Sequence, residues 1–180
     1  MSHTPLPHPR RIVTGHDDQG KAIFLADSRI HLEVTKLGAS LGVLWETKQV
    51  PADNSGKDDP ASSRTTDLAN KSGVVLRVVD IEPGTTQAKM LFHRTESLDF
   101  GILFDGQVSC YLDDGARVDM EPGDVCVQRG TIHGWTNTGP KTARMYFCLI
   151  AAEPVRAGDK VLGAHGYHKD DVATGGTQEV

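Results

Sequence analysis

From Val74 onward the chain alternates short apolar runs with turn residues. Val74 to Ile81 runs into Glu82-Pro83-Gly84, Phe100 to Phe104 into Asp105-Gly106, and Gln107 to Leu112 into Asp113-Asp114-Gly115. The series continues with Arg117 to Met120 before Pro122-Gly123, Val125 to Gln128 before Gly130, Ile132 to Thr136 before Gly139-Pro140, and Ala143 to Ile150. Apolar runs of this length between Gly, Pro and Asp are strand signals, because those residues supply the backbone angles a tight reversal needs. Many such strands at close spacing predict a sandwich or barrel. No segment carries a sustained apolar stripe of helical period, so helix is expected to be scarce.

The amino-terminal part is less regular. Strands are expected at Arg11 to Thr14, Ala22 to Leu25, Ile30 to Thr35 and Leu41 to Glu46, after an arm over residues 1–9 that has no periodicity. From Pro51 to Ser72 the composition shifts to Asp, Asn, Ser, Lys and Pro, which predicts a long mobile loop, either a flexible insertion or a lid. After Ala151 the text turns polar and Gly-rich. The expected organisation is therefore amino-terminal strands and loop over 1–73, packed on or exchanged with a barrel over 74–151, then a tail over 152–180.

At 180 residues the chain suits one well-buried domain. The net charge of -5, with no run of Lys or Arg, gives no footprint for nucleic acid or an anionic membrane, so a small molecule is the expected partner. Neither a secretion signal nor an apolar run near the length of a membrane span is visible, and a cytoplasmic location is expected. Cys110, Cys126 and Cys148 lie in apolar runs without a CxxC and read as buried reduced thiols.

The candidate chemistry lies in two glycine-bounded segments, His93 to Gly106 and Gly123 to Asn137. Strand alternation puts His93 and Thr95 on one face and His133, Trp135 and Asn137 on one face. If those faces point inward, two imidazoles, the Asp99 carboxylate and an indole share a cavity. Asp99 points to function, since a carboxylate on a barrel wall is costly to bury unless something pairs with it. Trp135 reads equally as an aromatic wall for a ligand or as core packing. Asn137 reads as a substrate contact or as a turn residue bonding its own backbone. Arg77, Arg94, Arg129 and Arg144 are the cations available to a carboxylate ligand. His165 and His168 have a ligand-like spacing but no helix to aim them.

This spacing resembles the two motifs of the cupin superfamily, G-x5-H-x-H-x3-4-E-x6-G and G-x5-P-x-G-x2-H-x3-N. His93 falls on the first histidine, Thr95 on the second, Asp99 on the glutamate and Gly106 on the closing glycine; then Gly123, Gln128, Gly130, His133 and Asn137 follow the second motif, Gln128 standing for the proline. The likeness covers about Val74 to Ala151. It departs where Thr95 replaces a histidine, where Asp99 is a methylene shorter than glutamate, and where Gly84 is the nearest glycine before His93.

The resemblance implies an all-β double-stranded β-helix, a jelly-roll barrel with extra amino-terminal strands, and a homodimer. It also implies a lyase, isomerase or oxygenase acting on a small oxygenated or carboxylate-bearing molecule. In its metal-dependent form His93, Asp99 and His133 are the catalytic set and hold a divalent ion such as Fe, Mn, Ni or Zn, with Thr95, Trp135 and Asn137 lining the substrate pocket. A reduced ligand set also suits a site that holds metal weakly or not at all. Two further readings stay open: a metal-free site in which Asp99 orients a proton-shuttling histidine, and a non-catalytic pocket for a metabolite.

Overall fold

The computed structural model describes residues 6–35, 39–63 and 67–167. Thirteen strands run in chain order: β1 Arg10–His16, β2 Ala22–Arg29, β3 Glu33–Val34, β4 Ala39–Thr47, β5 Val74–Ile81, β6 Ser97–Asp105, β7 Val108–Leu112, β8 Arg117–Met120, β9 Val125–Arg129, β10 His133–Thr136, β11 Ala143–Ala151, β12 Val155–Ala157 and β13 Lys160–Leu162. A 3-10 turn at Pro60–Ser63 is the one helical element among the described residues. None of their helices is long and apolar enough to cross a membrane.

A six-stranded antiparallel sheet, β3-β4-β5-β11-β6-β9, faces a three-stranded one, β10-β7-β8. This is the jelly-roll architecture that the alternation predicts. Between the layers lies one core, to which the larger sheet contributes Val75, Leu103, Met145 and Phe147 and the smaller one Val108, Met120 and Trp135. Leu103 and Met145 have no exposed surface, so each is worth roughly 1.5–3 kcal/mol of side-chain burial. The β6–β7 turn depends on Gly106, whose φ of 87° is left-handed and where a Cβ would stand 2.6 Å from Ala143 Cα.

The amino-terminal strands extend this barrel. β4 pairs along all of β5, while β1 and β2 form a separate hairpin. Arg144 makes a buried bidentate ion pair with Asp80, two bonds of 2.7 Å, and donates to the Pro7 carbonyl at 2.8 Å. Two carbonyl and carboxylate partners for one guanidinium leave little of this buried charge unsatisfied.

Three expectations need correction. Only Glu33–Val34 of the proposed Ile30–Thr35 strand pairs, because Ile30 and Leu32 pack instead against Leu44 and Val78 on the sheet's outer face. The tail contains the β12–β13 hairpin. The Pro51–Ser72 segment is not without apolar anchors: Leu68 is 6% exposed and packs on Leu41, and Arg77 Nη2 donates to the carbonyls of Asp67 and Leu68 at 2.9 and 3.0 Å. Arg11 adds an ion pair to Asp59.

Candidate functional site

A cleft with an internal volume of about 100 Å³ lies inside the barrel among β4, β5, β6, β9, β10 and β11. Its wall is mostly apolar, including Leu41, Leu68, Val79, Trp135, Phe147 and Leu149. The polar exceptions are Arg77, His93, Asp99, Gln128 and His133, with Thr35 and Thr85. Few polar groups in a large apolar surface are what a small-molecule site presents.

His93 is not in a continuous strand. It forms an isolated bridge to His133, each backbone N–H donating to the other's carbonyl at 2.9 Å. That exchange brings the imidazoles to 4.5 Å between centroids, tilted by 54°. His133 Nδ1 lies 3.0 Å from the Thr131 carbonyl and His93 Nδ1 3.3 Å from that of Leu91. A carbonyl can only accept, so each Nδ1 carries the proton and each Nε2 keeps a bare lone pair.

Burial holds both rings neutral. It lowers the His133 pKa to about 4, with partial opposition from the Thr131 bond, and the His93 pKa to about 3, where the neighbouring His133 and Arg77 also disfavour a second positive charge. The same burial acts on Asp99 in the other direction and raises its pKa, against hydrogen bonding from Ser97 and Thr95 and the field of Arg77.

Of the expected pocket residues, His93, Asp99, His133 and Trp135 line the cleft. Trp135 fills both of its readings at once: it meets His133 edge-on at 6.0 Å and packs on Phe147 at 5.6 Å. Thr95 serves as a relay, accepting from Ser97 Oγ at 2.7 Å and donating to Asp99 Oδ2 at 3.3 Å. Asn137 is not part of the wall. Its Nδ2 donates to the Ile81 and Lys141 carbonyls at 2.8 Å each and its Oδ1 accepts from Gly139 at 2.9 Å, so its amide pins a turn. Nor does Asp99 orient a histidine, because the Leu91 and Thr131 carbonyls do that.

His93 and His133 suit a metal ion as two imidazoles with fixed tautomers. No group of three or more His, Cys, Asp or Glu side chains among the described residues is close enough to hold one.

Gln128 is a new member of the site, and Arg77 is the one of the four candidate arginines that lines it. Gln128 is directly opposite Asp99 across the β6–β9 pair, and Arg77 comes from β5. Alternation within β9, where Val125 and Val127 are exposed and Gln128 is buried, is the signal that marks Gln128 as inward. The tail also reaches the site: Arg94 and His165 exchange backbone hydrogen bonds of 2.9 and 3.0 Å, and the Tyr167 ring stands edge-on to His93 at 6.0 Å. His168 lies outside the described residues. Of the other arginines, Arg129 is exposed and Arg144 is committed to Asp80.

The model of the cupin domain matches residues 77–150. A cupin-domain-containing oxidoreductase of Aspergillus ruber is 34% identical over 159 residues, covering 84% of this chain and 77% of the relative. The chain belongs to the cupin family. Phomopsin biosynthesis cluster protein C' of Diaporthe leptostromiformis is 33% identical over 180 residues, covering 95% of this cupin and 94% of that protein. Among solved structures, the cupin domain of Schizosaccharomyces pombe Cnp3 superposes with a TM-score of 0.50 at 11% identity, over 79% of this chain and 87% of that one, a likeness of fold alone. Relatives named as oxidoreductases support a cupin enzyme in general terms.

Proposed function

We propose that this cupin is an enzyme of small-molecule metabolism that moves a proton on an enolisable carbonyl compound. The observation that carries the reading is one cleft holding two imidazoles with bare Nε2 atoms and a carboxyl group whose pKa is pushed the opposite way. Titratable groups displaced in opposite directions mark out the base and the acid.

His133, the more basic of the pair, takes the proton from the carbon beside the substrate carbonyl through Nε2. The C–H electron pair becomes the new C=C bond and the carbonyl pair moves onto oxygen. The Asp99 carboxyl, which burial pushes toward its neutral form, hydrogen-bonds that oxygen, and the Arg77 guanidinium offsets the developing charge. Return of the proton to a different atom completes an isomerisation with no oxidant and no net change in protons. A base of pKa about 4 costs about 4 kcal/mol to protonate at pH 7. The enolate formed beside the imidazolium offsets much of that cost, and the apolar wall keeps water from screening the pair.

A second reading is favoured by the relatives named as oxidoreductases: redox chemistry supported by a divalent ion such as Fe, Mn, Ni or Zn. The ion would have His93 and His133 as its imidazole ligands. The two readings separate in one experiment. Enol-to-keto conversion of phenylpyruvate, followed by its enol absorbance, is expected to survive chelator treatment and to fall roughly 10²-fold or more in His133→Ala. Loss of conversion on chelation, restored by one equivalent of ion in protein purified without a histidine tag, would replace the proton-transfer reading with the metal-dependent one.

A further inference from the structure

Gln128 is 3% exposed, and among the described residues neither its Oε1 nor its Nε2 has a hydrogen-bond partner. Asp99, 4% exposed, leaves Oδ1 equally unpaired while Oδ2 accepts from Thr95. These two residues are register partners on β6 and β9, so their side chains leave the sheet side by side on one face, and both border the cleft. Buried polar atoms without partners are costly and uncommon in a folded protein, and three of them at one place bordering a cavity require an explanation. A residue there for packing alone would be Leu or Met.

We infer that Gln128 and Asp99 form a recognition edge for a ligand carrying a cis-amide, as in a lactam, at the end of the apolar cleft. The chemistry is complementary. A primary carboxamide and a cis-amide pair through two antiparallel hydrogen bonds, Gln128 Nε2–H donating to the ligand carbonyl and the ligand N–H donating to Gln128 Oε1. Asp99 Oδ1 then hydrogen-bonds a further polar atom of the same molecule. A lactone supplies only the acceptor and leaves Oε1 stranded, and a site built on buried polar groups disfavours the analogue that leaves them unpaired. Leu41, Trp135 and Phe147 supply apolar wall for a ring substituent on the same ligand.

The inference names the ligand class for the cleft and so rests on its being a small-molecule site, but its test needs no turnover. Binding of 4-phenyl-2-pyrrolidinone and of its lactone counterpart, 4-phenyl-γ-butyrolactone, would be measured by saturation-transfer NMR and by change in Trp135 fluorescence. Wild type is expected to hold the lactam roughly tenfold or more above the lactone. Gln128→Leu is expected to bind the two about equally, with lactone affinity unchanged and with a melting temperature equal to or above wild type, since the change removes orphaned polar atoms. Equal affinities in wild type, no binding of either probe, a preference that survives Gln128→Leu, or a fall in melting temperature in that variant would each overturn the inference. Loss of the phenylpyruvate reaction with the lactam preference intact would count against the proton-transfer reading alone.

Discussion

His93 and His133 are bonded to each other twice through their backbones, at 2.9 Å each way, and this bridge holds the two imidazoles 4.5 Å apart. The arrangement tolerates neutral rings far better than charged ones, which makes stability depend on pH. In the unfolded chain both histidines take up protons below about 6.5. In the folded chain they do so only near 4 and 3. Between those values the unfolded state binds more protons, so stability is fully present above 6.5 and is lost as pH falls toward 3, by on the order of 3 kcal/mol for His133 and on the order of 5 kcal/mol for His93. Asp99, with its pKa raised, acts in the opposite sense: its contribution is present at acid pH and is lost as pH rises through its folded value. Urea unfolding at pH 7 and pH 4.5 is expected to show the loss in wild type and a much flatter profile in the double variant His93→Gln, His133→Gln. Parallel profiles would mean that the rings are solvated.

Asn137 is a prediction about stability alone. It is fully buried and its amide satisfies two carbonyls and one N–H. Asn137→Ala leaves all three unpaired and is expected to cost about 2–4 kcal/mol, a fall in melting temperature of roughly 5–15 °C. Affinity for a cleft ligand below the transition should not change. A specific loss of affinity at intact stability would return Asn137 to the pocket.

The thiols differ in reactivity. A hydrogen bond between Cys110 and Cys126 lowers the Cys126 pKa to about 7, and the same bond, with burial, pushes Cys110 upward. Cys126 is the less buried of the two. Iodoacetamide is therefore expected to modify Cys126 first, with a rate that reaches half its maximum near pH 7, leaving Cys110 unmodified until the protein unfolds. Peptide mapping by mass spectrometry reads the order directly, and modification of Cys110 first would refute it.

The 51–72 segment is tied to the barrel at its carboxyl-terminal end through Leu68 and Arg77. Trypsin is expected to cut after Lys57, exposed and upstream of the anchor, well before Lys71. Leu68→Ser should bring the two cuts to similar rates, as the anchor loses its buried side chain. Cleavage after Lys71 as fast as after Lys57 in wild type would show that the anchor does not hold in solution.

The sequence by itself determined the barrel and half of its site. β5 and β8 fall at the bounds that the apolar runs predict, and the Gly and Pro turns mark most of the others, because alternation and turn chemistry are properties of neighbouring residues. For the same reason the inward faces of Asp99 and His133 were legible. Tertiary structure alone decided which inward faces meet. The β6–β9 register sets Gln128 beside Asp99, β5 brings in Arg77 from twenty-two positions before Asp99, and a two-bond bridge, not a strand, sets His93 against His133. It also assigned Asn137 to a turn, Thr95 to a hydroxyl relay and Leu68 to a wall, since a polar or apolar side chain takes its role from the partners that long-range pairing puts within reach.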